Sequence, residues 1–151
     1  MSKNFSKLIL SIVICEGAGL IGAFFTISAI PGWYKTLNKP VFSPPNFLFG
    51  PVWTTLYVLM GISFYLVWIK RKPSVLFLIH LFFNASWSIL FFGMHNIFLA
   101  FIDILIIWLF IIILILKFFK IDKRASWLLF PYLLWVSFAT ILNYSIWILN
   151  K

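Results

Sequence analysis

Acidic residues are nearly absent: 3 of the 151 positions are Asp or Glu, and even with 12 Lys and Arg only 10% of the chain is charged. A soluble domain carries about a quarter charged residues. A chain this short has too much surface to hide 64% hydrophobic side chains from water. The scarcity of charge, with a mean hydropathy of +1.09, excludes a soluble globular protein and makes lipid the solvent. Cysteine is scarce too: Cys15 is alone, so no internal disulfide can form. The devices of soluble enzymes are also missing. There is no phosphate-cradling glycine loop, no His and Cys cluster at metal-ligand spacing and no nucleophile elbow. No firm catalytic residue, metal site or cofactor is therefore expected.

What the chain does contain is five apolar runs, at about 8–30, 46–69, 74–94, 97–116 and 126–149. One helical crossing takes about 20 apolar residues, so each run is long enough to span. The expected fold is an all-α membrane protein, a single five-helix transmembrane domain over 1–151. Lys3 and Lys7 before the first run resemble the start of a signal peptide. That run, however, exceeds twenty residues and lacks a small-x-small cleavage pattern, so it reads as a retained helix. Pro31 and Gly32 are expected to end it. The following segment, PGWYKTLNKPVFSPP, holds four of the seven prolines and reads as the one long loop. The other connections are short enough for antiparallel helical hairpins.

The net charge of +9 would raise nucleic acid as a partner in a soluble protein. Here the basic residues cluster between apolar runs, so they read as topology and no nucleic acid is expected. Nine of the twelve fall at the N-terminus and in the second and fourth loops. The other three are Lys35, Lys39 and Lys151. The positive-inside rule then puts the N-terminus in the cytoplasm and the proline-rich loop and C-terminus outside.

Inside hydrocarbon a polar side chain needs a partner or a cavity, and five stand out: Glu16, His80, Asn84, Asp103 and Asn143. His80, Asn84, Trp87 and Phe91 are spaced by 4, 3 and 4 residues, one inward helical face. His80 reads as packing glue between helices. Asn84 beside Trp87 is the better ligand candidate, because an amide and an indole can orient a flat molecule with polar edges. Glu16 and Asp103 are the only acids within runs and have no buried basic partner. Asp103 lies a turn or two from Asn96 and reads as a cap or loop anchor. Gly17, Gly19, Gly22 and Ala23 offer a small-residue face, for the bundle or for a homodimer.

Trp53, Tyr57 and Met60 share a face in the second run, as do Trp135, Phe138, Ala139 and Leu142 in the fifth. Trp33, Tyr34, Trp68, Trp127 and Trp147 lie near run ends, where amphipathic rings gather at the membrane interface. Trp53 and Trp135 are deeper and point instead to an inward cavity.

The stretch WYKTLNKPVFSPPNFLFGPVWTTLYVLMGISFYLVW resembles the tryptophan-rich sensory protein and mitochondrial translocator protein family. So do NASWSILFFG, the Asp103 helix and PYLLWVSFATILNY. The resemblance implies a five-helix bundle, commonly a homodimer, that binds porphyrins such as protoporphyrin IX beneath the first loop. Some members also bind cholesterol and synthetic isoquinoline or benzodiazepine ligands. It implies a ligand site at Trp53, Asn84, Trp87, Trp135 and Ala139, with Tyr34 as the loop residue that closes over it. In the proposed cholesterol motif, six residues separate Tyr144 from Lys151 and Ile148 stands at the basic position, which argues against cholesterol. No basic transit sequence precedes the first run, which suits a prokaryotic cytoplasmic membrane. The expected function is a tetrapyrrole receptor or translocator. Two alternatives are light- or oxygen-dependent porphyrin degradation through Trp53 or Trp135, and regulation through protein partners.

Overall fold

The computed structural model describes residues 3–151. Five helical segments are long and apolar enough to cross a membrane: Lys3–Tyr34, Asn46–Trp68, Val75–Gly93, Ile97–Phe119 and Lys123–Leu149. The α-helices are α1 (Lys3–Ala29), α2 (Phe49–Trp68), α3 (Val75–Ser88), α4 (Ile97–Phe119), α5 (Lys123–Leu128) and α6 (Phe130–Leu149), and no strand occurs among the described residues. The fifth crossing is α5 and α6 in succession. The protein is a five-helix membrane bundle.

Pro31 and Gly32 do not end the first helix. α1 widens into a π turn, Ile30–Tyr34, with Pro31 in its first turn, and helical structure continues to Thr36. The wider turn makes room for the pyrrolidine ring, which in a regular α-helix meets the carbonyl four residues earlier. A second π turn, Ile89–Gly93, finishes the third crossing. Helix starts follow local chemistry. The Ser74 hydroxyl accepts from the Phe77 amide at 3.3 Å, Asn96 from Leu99 at 2.9 Å and Asp122 from Arg124 at 2.9 Å. Asn96, not Asp103, is thus the cap of α4.

α1 packs on α2 and α3, α4 on α3, α5 and α6, and α2 on α5, while α1 and α6 have no comparable contact. At the end of the bundle near the second loop, the helices meet closely. A Cβ at Gly61 would stand 2.7 Å from the Ile12 Cα, so only glycine permits this crossing. Phe77 stacks on Phe64 at 4.7 Å and on Phe118 at 6.1 Å, joining α2, α3 and α4. The Ser63 hydroxyl donates to the Ala125 carbonyl at 2.7 Å and Ser126 donates to Ile115 at 2.9 Å. Asp122 pairs with Lys70 at 2.8 Å and Arg124 at 3.1 Å. Hydrogen bonds from Arg124, and then Lys70, hold its carboxyl well below the usual carboxylate range.

The first loop crosses the opposite end. It reaches α6 through Phe42, whose ring meets Phe138 at 6.3 Å, and through a reciprocal pair of asparagines. The Asn38 amide donates to Asn150 Oδ1 at 2.9 Å and Asn150 Nδ2 donates to the Asn38 carbonyl at 2.8 Å. Lys39 folds back, donating to the Tyr34 carbonyl at 2.8 Å with its ammonium 4.6 Å from the Tyr34 ring centre. Trp33 stacks on His95 at 4.2 Å, joining the end of the first crossing to the turn before α4.

Candidate ligand-binding site

Where α1 and α6 make little or no contact, a cavity of about 310 Å³ opens, its wall running along the first crossing from Glu16 to Tyr34 and along the second from Asn46 to Tyr57. Its walls come from all five crossings. Gly19, Gly22 and Ala23 of α1 line it, and their lack of bulk leaves space; Ala139 does the same on α6. Gly19 also lets α2 approach, since a Cβ there would stand 2.5 Å from the Tyr57 ring. Gly22 faces Ser88 at comparable range, so this small-residue face serves the bundle at both glycines.

All six residues singled out in the sequence, Tyr34, Trp53, Asn84, Trp87, Trp135 and Ala139, line this cavity. Tyr34 does so from the π turn of the first crossing rather than from the loop, and it is buried. The two π turns help shape the wall, contributing Ile30 and Tyr34 on one side and Phe91 and Phe92 on the other. Trp87 stacks on Phe91 at 5.1 Å, and its indole N–H donates to Asn143 Oδ1 at 3.0 Å. Asn143 in turn donates to the Ile97 carbonyl at 3.1 Å, which fixes the plane of the indole. Trp53 lies against Tyr57 with ring centres 5.6 Å apart and meets Tyr132 edge-on at 6.3 Å.

Asn84 is occupied to a degree that spacing alone does not reveal. The Tyr57 hydroxyl donates to its Oδ1 at 2.6 Å and its Nδ2 donates to the Tyr132 hydroxyl at 2.7 Å. Tyr132 then has its own hydrogen for His80 Nε2, 2.7 Å away. His80 and Tyr132 are fully buried behind the wall, and Tyr57 and Asn84 form part of its surface. Tyr57 and Tyr132 are therefore structural members of the site; the sequence reading puts Tyr57 on the Trp53 face without giving it a role and does not single out Tyr132. Their signal is present in helical spacing, with Tyr57 one turn after Trp53 and Tyr132 one turn before Trp135.

Two cavity-lining side chains keep buried polar atoms without a partner: Glu16 Oε1 on α1 and Trp135 Nε1 on α6. Both atoms are themselves shielded, so they are unpartnered polar groups beside the wall rather than open on its surface. Asp103 differs from Glu16. It is buried and its Oδ2 has no partner, yet it lies outside the cavity wall.

The TspO/MBR family model matches residues 11–148. The chain belongs to the TspO/MBR family. It is 42% identical to the tryptophan-rich protein TspO of Chlorobaculum tepidum over 99% of both chains. It is 41% identical to the protein of the same name from Archaeoglobus fulgidus, over 97% of this chain and 99% of the relative. The translocator protein of Homo sapiens is 36% identical, over 76% of this chain and 73% of its own. Family membership thus extends across the four motif segments and the helices that carry the cavity wall.

Proposed function

We propose that this chain is a membrane receptor or carrier for tetrapyrroles such as protoporphyrin IX. The observation that carries the reading is the cavity between α1 and α6, about 310 Å³ in volume and faced by the indoles of Trp53, Trp87 and Trp135. Its size falls at the lower end of small-molecule pockets. Flat macrocycles gain from apolar burial and ring contact with indoles. Trp53 and Trp135 flank the ligand in this reading, Ala139 leaves it room, and Tyr34 stands at the mouth. Asn84 acts through the two tyrosines it holds, and the free Trp135 N–H orients an acceptor group of the ligand. The name translocator protein, carried by the human relative, fits carriage of such a ligand.

Titration with protoporphyrin IX tests this directly. Quenching of tryptophan fluorescence is expected and is expected to weaken in a Trp53→Phe, Trp135→Phe double variant; unaltered quenching in that variant overturns the reading. Uptake into proteoliposomes separates a carrier from a receptor. A second reading, light- or oxygen-dependent porphyrin breakdown, draws on the same two indoles in the cavity wall. It requires porphyrin absorbance to decay into new product bands, and that decay to stop in the double variant.

The protein is further proposed to sit in a prokaryotic cytoplasmic membrane as a homodimer with its N-terminus in the cytoplasm. An impermeant thiol reagent that labels a cysteine placed at Lys72 in intact cells contradicts that orientation, and a monomer mass in mild detergent contradicts the dimer.

A further inference from the structure

Glu16 is the deepest residue that α1 contributes to the cavity, about four helical turns below Ile30. Its Oε1 is shielded from solvent and has no hydrogen-bond partner. Both ion pairs among the described residues belong to Asp122, so no lysine or arginine answers this carboxyl. The neighbouring polar groups are also committed, because the Tyr57 hydroxyl is given to Asn84 and Asn84 to Tyr132. Glu16 is only partly buried, so its carboxyl can turn toward the cavity it lines, and a carboxyl without a partner beside apolar surface gains from a guest that donates to it.

We propose that Glu16 is a specificity determinant at the floor of the cavity, where its carboxyl accepts a hydrogen bond from an N–H group on the leading edge of the ligand. The inference rests on the reading that the cavity holds a flat aromatic molecule, and it does not depend on that molecule being a tetrapyrrole. The chemistry it selects is an aromatic or amine N–H entering first, with the apolar body of the ligand behind it against the indoles. Ligands of the same outline that present an ether oxygen or a C–H at that edge leave Glu16 unanswered and bind less well.

Carbazole and dibenzofuran test this, being tricycles of one shape that differ by N–H against O. The detergent-purified wild type is expected to bind carbazole about tenfold more tightly, the worth of one hydrogen bond. Glu16→Leu is expected to erase the difference while leaving dibenzofuran affinity within about twofold. Glu16→Gln keeps a carbonyl acceptor in nearly the same volume and is expected to retain the carbazole preference. The cation 9-aminoacridine tells a charged donor from a neutral one. Wild-type affinity above that for carbazole, removed in Glu16→Gln, assigns a charged N–H; equal affinity assigns a neutral one.

Equal binding of carbazole and dibenzofuran by the wild type overturns the proposal, and so does a preference that survives Glu16→Leu. The wild-type comparison stands even where the leucine variant fails to fold. Loss of protoporphyrin binding with the carbazole preference intact removes the tetrapyrrole reading and leaves the role of Glu16 in place. Normal protoporphyrin binding with no carbazole preference does the reverse.

Discussion

At the second-loop end of the bundle, Phe64, Phe77 and Phe118 fill the space between α2, α3 and α4, each exposed by 1% or less. At the first-loop end, Trp53, Trp87 and Trp135 stand around open space. Both regions are aromatic, and in lipid apolar side chains alone give helices little reason to close on one another. The difference lies in the small and polar residues between the rings. Gly61 against Ile12, Ser63 against the Ala125 carbonyl and Ser126 against the Ile115 carbonyl draw backbones together at the closed end. At the open end Ala23 and Ala139 face the void instead. A small residue in a membrane helix thus makes either a contact or a space, depending on what the neighbouring helix presents.

If the closed end supplies stability and the open end supplies binding, variants at the two ends separate those properties. Phe77→Ala is expected to have the largest effect, removing the centre of the ring stack at a cost of roughly 3 kcal/mol. Thermal unfolding in detergent reads that loss, and protoporphyrin affinity of the folded fraction is expected to stay within about twofold. Gly61→Ala forces α1 and α2 apart at Ile12 and is expected to cost roughly 2 kcal/mol by the same measurement. Ala139→Phe inverts the pattern. It fills the cavity, so porphyrin affinity is expected to fall about tenfold while the melting temperature holds or rises. A Phe77→Ala variant that lost binding without losing stability would break the comparison outright.

The smallest effect belongs to Asp122. Its folded-state carboxyl is depressed by Arg124 and Lys70, so the stabilisation it supplies is fully present above the ordinary value of 3.8 and is lost as pH falls below it. The melting temperature is expected to drop modestly over that acid range, and Asp122→Asn is expected to flatten this dependence while keeping a competent helix cap.

Much of this architecture is legible in the sequence because lipid imposes simple rules. Apolar runs of helical length mark the five crossings, and the 3.6-residue period puts His80, Asn84, Trp87 and Phe91 on one inward face. Three features are not legible, each for a physical reason. Pro31 reads as a stop, and only a π turn, which local sequence does not announce, carries the helix past it. Asn84 reads as free because its partners, Tyr57 and Tyr132, lie on other helices. Glu16 and Asp103 look alike as lone acids in apolar runs. The rotation of α1 turns one into the cavity, and the rotation of α4 keeps the other out of it.

The clasp between Asn38 and Asn150, 112 residues apart, divides the first loop mechanically. Before the clasp the Trp33–His95 stack ties the end of the first crossing to the turn before α4, and just after it Lys39 folds back onto the Tyr34 carbonyl. After Lys39 the loop has only residues 40–45, half of them proline and therefore stiff. The first loop is thus held at three places, by Lys39 on Tyr34, by Asn38 on Asn150 and by Phe42 on Phe138. The end of the fifth crossing thereby fastens the loop that leaves the first, joining positions 112 residues apart in the chain by hydrogen bonds alone.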